Sequence, residues 1–297
     1  MKARLHLLIL FVFTLVKINA QENVDLFGIS FTHNPGVGLA EPLAPALDNL
    51  DLNVQELDAF VRVPIELKNG KTVLVNELRY HLVRAPFDDL PSDRNFDANL
   101  HSVQYNLGII QNLGSKWGIK ANLKPTLASN FNAGITSDDF FFQGSLVGFK
   151  KVDESLGYGL GLAYTNGFGE PKTLPILAFN YHSGSVRLDV LLPSKLNFAY
   201  QPAKITYGFD VELEGGQYHL SSQEGDGPIV TNQETVKFSR YNIGPTVGWN
   251  VNGNSRFEIS AGISLKRTLK AIDNEGVEAD YDLENGVFFK SAFIFGK

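Results

Sequence analysis

The feature that most constrains this chain is a two-residue alternation of apolar and polar side chains, sustained for ten or more residues at a stretch. Leu57, Ala59, Val61, Val63, Ile65 and Leu67 alternate with Asp58, Phe60, Arg62, Pro64 and Glu66. Ile205, Tyr207, Phe209, Val211 and Leu213 alternate with Thr206, Gly208, Asp210, Glu212 and Glu214. Phe257, Ile259, Ala261, Ile263 and Leu265 do the same against Glu258, Ser260, Gly262, Ser264 and Lys266. Successive side chains on a strand point to opposite faces, so each segment has one apolar face and one polar face. No helical period competes with this pattern beyond the first twenty residues. A typical soluble strand has about 5–6 residues, whereas one that crosses a bilayer needs about 9–11.

Turn signals divide the pattern into fourteen predicted strands, near 26–32, 54–68, 71–83, 100–111, 116–128, 140–151, 156–166, 174–182, 186–192, 196–200, 205–220, 235–250, 256–267 and 286–296. Asn69-Gly70 is a tight hairpin turn, because both residues tolerate positive φ. Short connections at 112–115, 153–155, 183–185, 201–204 and 252–255 alternate with longer ones at 33–53, 84–99, 129–139, 167–173, 221–234 and 268–284. Pro193–Lys195 breaks the rule, being short where a long connection is due. Merging the strands on either side of it gives twelve or thirteen. Short turns on one side and long loops on the other fit a closed, antiparallel, up-and-down transmembrane β-barrel. Closure follows from solvent physics. In hydrocarbon an unpaired backbone N–H or C=O costs several kcal/mol, so the last strand must pair with the first.

The N-terminus supplies an address. Lys2 and Arg4 precede an apolar stretch from Leu5 to Val16, and Ala20 stands before Gln21-Glu22. This is the layout of a secretory signal peptide, 1–20, cleaved near Ala20 to leave one barrel domain at 21–297. The apolar stretch is too short for a spanning helix, which needs about 20 residues. Together these features predict the Gram-negative outer membrane. The expected partners are then the lipid bilayer, lipopolysaccharide and, during insertion, the barrel-assembly machinery, with no protein partner indicated. Acids outnumber Lys and Arg, 32 to 26, and that sign argues against nucleic acid. The chain has no cysteine, which excludes disulfides, thiolate metal sites and a thiol nucleophile.

Parity sorts the side chains. Tyr80, Trp117, Tyr158, Tyr164, Trp249 and Phe295 fall at strand ends on the apolar face, as expected of two aromatic girdles. The opposite face carries Asp58, Arg62, Glu66, Glu77, Arg79, Lys120, Lys124 and Arg187. It continues with Asp189, Asp210, Glu212, Glu214, Arg240, Glu258, Lys266 and Lys290. A selective pore would show an excess of one sign. This set is balanced, which favours a paired network filling the lumen over a charged constriction.

The segment Asn53–Leu82, NVQELDAFVRVPIELKNGKTVLVNELRYHL, with ITYGFDVELEGG at Ile205–Gly216, resembles an uncharacterised family of Bacteroidetes outer-membrane β-barrels, the domain of unknown function 6268 type. The resemblance implies the same fold and location over nearly the whole mature chain. It carries no catalytic residue.

Motifs for chemistry are sparse. His33, His81, His101, His182 and His219 show no metal-ligand spacing. His101-Ser102 and His182-Ser183 are sequence neighbours, so each pair points to opposite faces of its strand. No GxSxG elbow occurs. Gly157, Gly159 and Gly161 are followed by Leu162 where a nucleotide fingerprint needs glycine. They read as small residues on the inner wall. Asp273, Glu275, Glu278, Asp280, Asp282 and Glu284 are better read as solvated acidity than as a cation site. The last strand runs to the chain's end and little precedes the first, so neither a peptidoglycan-binding module nor a plug domain is expected. No cofactor, metal or catalytic residue is assigned. The expected function is structural or that of a narrow, porin-like passive conduit. A lipid-hydrolysing barrel enzyme and a surface binder acting through its long loops are the alternatives.

Overall fold

A computed structural model describes residues 24–38, 52–86, 97–221 and 233–296. The expected signal peptide with its cleavage near Ala20, and most of the 84–99 loop, lie outside the described residues. The strands are β1 (Asp25–Val37), β2 (Leu52–Glu66), β3 (Thr72–Pro86), β4 (Asp97–Gly114), β5 (Trp117–Ser129), β6 (Phe140–Lys151), β7 (Leu156–Thr165) and β8 (Lys172–Ser183). They continue with β9 (Val186–Leu192), β10 (Lys195–Tyr200), β11 (Ile205–His219), β12 (Gln233–Asn250), β13 (Ser255–Asp273), β14 (Glu278–Leu283) and β15 (Gly286–Gly296). A single 3-10 turn, Ser137–Asp139, precedes β6.

Each strand pairs antiparallel with its sequence neighbour from β1 to β13. β15 pairs with both β13 and β1, and so closes the ring. Fourteen strands form the wall. β14 stands outside the ring and, among the described residues, pairs only with the extension of β13 beyond Lys266. The segment read as an acidic loop is therefore largely a hairpin. Its residues EADYDL do alternate, but their acidity masks the pattern.

The outer surface follows the expected parity. Ile29, Val61, Leu78, Ile109, Leu123, Leu160, Phe209 and Ile259 are all exposed, as are Trp117, Tyr158, Tyr164, Trp249 and Phe295. Tyr80 is half-buried, and its hydroxyl bonds His101 Nδ1 at 2.8 Å. On the same face, Asn76 Oδ1 accepts the Tyr105 hydroxyl at 2.7 Å. At the β2–β3 turn, Asn69 Oδ1 accepts the amides of Lys71 and Thr72, and Gly70 takes φ 62°.

The parity breaks at one point. Ser239 faces Thr268 and Tyr241 faces Leu265, so Lys266 and Arg267 together oppose Arg240. This two-against-one arrangement is a β-bulge, with Lys266 at φ 50°. One extra residue reverses the faces beyond it. Lys266, expected to line the lumen, is exposed, and Arg267 takes the inward position at 4% exposure.

Two departures from a regular cylinder matter for the interior. At the long-loop end, β11 crosses the bore to meet β5: His219 registers parallel with Ser129, and the Asn130 amide donates to the His219 carbonyl at 3.3 Å. Between these strands in the ring, β9 and β10 have only 7 and 6 residues, beside 12 in β8 and 15 in β11. The turn at Pro193-Ser194 thus sits low in the wall.

Candidate functional site

The site is the lumen, built of inward side chains in layers. At the long-loop end lies an apolar layer of Val83, Leu100, Ala128, Tyr218 and Leu220, against which Val54, Phe141, Val236 and Phe238 pack. Tyr218 stacks on Phe238 with ring centroids 5.9 Å apart. The Tyr218 hydroxyl reaches across the bore to His81 Nδ1 at 3.2 Å, and His81 Nε2 lies 3.2 Å from Glu56.

Beneath this layer the charges are paired across the bore. Arg240 on β12 bridges Glu56 on β2, and also Glu214 at 2.5 Å. Asn242 donates to Glu214 at 2.8 Å. Ser264 bonds both Asn242 and Asn34. Lys290 on β15 lies 3.3 Å from Glu212 and 3.4 Å from Glu214 on β11, and Lys195 approaches Glu212 at 3.5 Å. A second chain runs along β2 and β3. Arg62 pairs with Glu77 at 2.5 Å, Glu77 with Arg79 at 3.1 Å, and Arg79 with Asp58 at 3.2 Å. Both guanidinium groups lie over the Phe60 ring, at 5.0 and 5.2 Å from its centroid, a cation–π arrangement. Glu77, only 3% exposed, is thus a buried carboxylate held between two cations.

Toward the short turns, Asp210 accepts from Asn197 and Thr246, each at 2.5 Å. Arg256 joins Asp25 at 2.6 Å to Glu258 at 2.7 Å. Asp189 takes His182 at 2.7 Å and Arg187 at 3.3 Å. Glu66 is exposed at the strand end. Lys120 and Lys124 differ from all of these. They point inward from β5 beside Arg62, Arg79 and Glu77, yet form no ion pair among the described residues.

The parity list missed Glu56, Arg256 and Asp25, and His81 was not among its charges. Glu56 and Arg256 share the parity of Asp58 and Glu258, so the signal was present. Arg267 was hidden by the bulge. Among the described residues its Nη1 is buried without a hydrogen-bond partner, as is Arg240 Nε.

The histidines occupy separate places. His219 Nδ1 lies 2.7 Å from Asp139, which is 1% exposed. Burial raises the Asp139 carboxyl, but the Thr136 amide at 2.7 Å, His219 and Ser129 outweigh it and hold the group below the ordinary range. Ser129 bonds this same carboxylate, so the cluster anchors the β5–β6 connection onto β11. Among the acids of 268–284, Glu278 and Asp280 lie 2.7 and 2.9 Å from Lys270, whose ammonium those bonds hold above its usual range. Among the described residues no three potential ligands converge on a metal position.

Among solved structures, the chain is similar to an outer-membrane channel from Pseudomonas putida F1 (TM-score 0.47, 10% identity, 94% of this chain and 100% of that one). It is also similar to the TodX monoaromatic hydrocarbon channel (TM-score 0.45, 9% identity, 93% and 90%). A third is the calcium-bound outer-membrane phospholipase dimer from Salmonella typhi (TM-score 0.34, 8% identity, 93% and 93%). Comparison with curated proteins gave no match. The family model for the domain of unknown function DUF6268 matches residues 56–296, from the first cross-lumen carboxylate to the closing strand, and the chain belongs to that family.

Proposed function

We propose that this protein is an outer-membrane barrel whose bore is closed along its axis at rest, a structural barrel rather than an open porin. The observation that carries the reading is the pair of stacked closures at the long-loop end: the apolar layer around Tyr218, and the Glu56–Arg240–Glu214 bridge beneath it. The β5–β11 contact draws the wall itself inward at the same height. The continuous apolar belt, flanked by Trp117, Tyr158 and Trp249 at one rim, supports a bilayer as the surrounding medium. The signal-peptide pattern and the resemblance to Bacteroidetes barrels support export to a Gram-negative outer membrane, with lipopolysaccharide against the long-loop side and the assembly machinery as insertion partner. The paired charges support the structural role, because cross-bore ion pairs fix the strands in register.

Planar-bilayer recording tests this. The wild-type barrel is expected to give no steady ohmic steps. Tyr218→Ala and Phe238→Ala take the stacked rings out of the apolar layer, Arg240→Ala breaks the bridge beneath it, and the three together are expected to produce them. Steady large steps from the wild-type protein would overturn the closed-bore reading.

A further inference from the structure

The β9–β10 hairpin is too short for the wall it belongs to. At about 3.3 Å per residue and a tilt near 40°, a seven-residue strand rises about 18 Å, against an apolar band of roughly 25 Å. Above the hairpin the neighbouring strands lose a partner. Among the described residues, β8 pairs with β9 only from Leu177 onward, so Lys172–Ile176 pair with β7 alone. β11 pairs with β10 only up to Glu212; one further bond joins the Leu213 amide to the Ser194 carbonyl, and among the described residues 214–218 pair with β12 alone. The upper part of this gap is crossed by the β7–β8 turn. Gly167 packs against Gly215, where an added Cβ would collide with the Gly167 carbonyl, and Gly169, at φ +80°, lies against the Phe238 backbone.

Below that turn a pocket of ≈ 400 Å³ remains, lined by Leu160, Leu174, Pro175, Ile176, Leu177 and Leu192, with Pro193 at its rim. Four of these residues are consecutive on β8. In a continuous sheet consecutive side chains face opposite sides, so one pocket cannot touch them all. It does so here because it wraps the free edge of β8. Leu174 and Ile176 have the inward parity, whereas Leu177, like Leu160 and Leu192, is part of the exposed apolar belt.

We propose that this free edge is a binding site for a single alkyl chain, entering sideways from the bilayer hydrocarbon and passing through the wall toward the lumen. This rests on the membrane reading above. The lining is aliphatic throughout, so nothing in it recognises a head group, and it is continuous with the belt that meets lipid. Free edges in hydrocarbon are costly because their N–H and C=O groups stay unpaired. Pro175 and Pro193 contribute no N–H there.

The test reconstitutes the full mature chain in phosphatidylcholine vesicles containing palmitic acid with a diazirine on the chain, followed by irradiation and mapping of the adducts. Adducts on the inward residues Leu174 and Ile176, several-fold above those on Leu78 and Leu123 elsewhere in the belt, are expected. Ile176→Trp is expected to abolish them while labelling of Leu78 and Leu123 persists. Leu174→Phe serves as the milder filler, with heat-modifiable gel migration confirming a folded barrel. Adducts confined to Leu160, Leu177 and Leu192 would mean ordinary annular lipid and overturn the proposal. So would protection of the pocket by a cross-linked second copy. Absence of label from the entire belt would instead refute the bilayer location itself.

Discussion

The two sides of this barrel solve the same problem differently. From β11 through β15 and β1 to β4, the interior is filled. Long charged side chains reach across the bore, and Glu56, Glu77, Arg240 and Arg267 are all buried. From β6 to β10 most inward positions are small or neutral, including Ser145, Gly159, Gly161, Ala163, Ala178 and Ala199, the paired charges His182, Arg187, Asp189 and Lys195 lie near strand ends, and the wall falls to strands of 7 and 6 residues. The filled side spends its polar groups on one another, which makes it rigid and intolerant of loss. The sparse side has fewer cross-bore contacts to lose, and there the free edge of β8 lies. A closed sheet can be stiff on one flank and yielding on the other, because wall hydrogen bonds alone do not determine what the lumen contains.

The sharpest way to break this comparison is to remove the hub of the filled side. Arg240→Met leaves Glu56 and Glu214 facing each other without their shared cation. Losing one member of a buried ionic cluster typically costs about 3–5 kcal/mol. Denaturant unfolding of the detergent-solubilised protein should show a loss of that size. Replacing Glu56 as well, by Met, should recover part of it, because the stranded charge is then removed with its partner. A loss below about 0.5 kcal/mol, the level of an ordinary surface change, would mean that the filled side is not held by its charges.

The seam between the sides gives a smaller, pH-dependent effect. Asp139 fastens the β5–β6 connection to His219 on β11. Its carboxyl is held below the ordinary value, against burial, by Thr136, His219 and Ser129. A lowered folded pKa contributes stability that is complete above the unfolded value of about 3.9 and is lost as pH falls through the folded one. Amide exchange at Asn130 and Thr136 should therefore stay slow from neutrality down to about pH 4 and accelerate below it. Asp139→Asn should accelerate it at every pH. Acceleration already complete near pH 6 would show that this carboxylate does not hold the seam.

How much of this was legible follows from what a two-residue period encodes. It specifies which way a side chain points, so the fourteen wall strands and the exposed positions of Trp117, Tyr158 and Trp249 follow from the residues alone. It does not specify how far across the bore a side chain reaches. Glu56 and Arg240 are 184 positions apart, and nothing in either strand's pattern joins them. The bulge at Lys266 carries no glycine or proline to announce it, so the reversal that buries Arg267 was invisible. β14 was concealed by composition: Ala279, Tyr281 and Leu283 alternate, but with acids that made the segment read as solvated. The short connection at Pro193–Lys195 was the one irregularity visible in advance, and it marks the low point of the wall.

The smallest expected effect concerns Lys120 and Lys124, which stand at the boundary where the filled side gives way to the sparse one. Both point inward near Arg62, Arg79 and Glu77, and neither forms an ion pair among the described residues. Lys120 is also exposed to water within the lumen. A cation that forms no ion pair has little to lose when neutralised: Arg62 repels Lys120 and Arg79 repels Lys124, against the attraction of Glu77 on both. Lys120→Gln with Lys124→Gln should therefore leave the unfolding midpoint within the range of surface substitutions, about ±0.5 kcal/mol. Changing them to Glu asks more of the site. New carboxylates beside Arg62 and Arg79 would compete with Glu77 and Asp58 for the same guanidinium groups. If the charge-reversed protein is as stable as the neutralised one, the lumen at this level is open enough for water to screen the change. A marked loss would mean that the filled side extends onto β5 and that the boundary lies nearer β6.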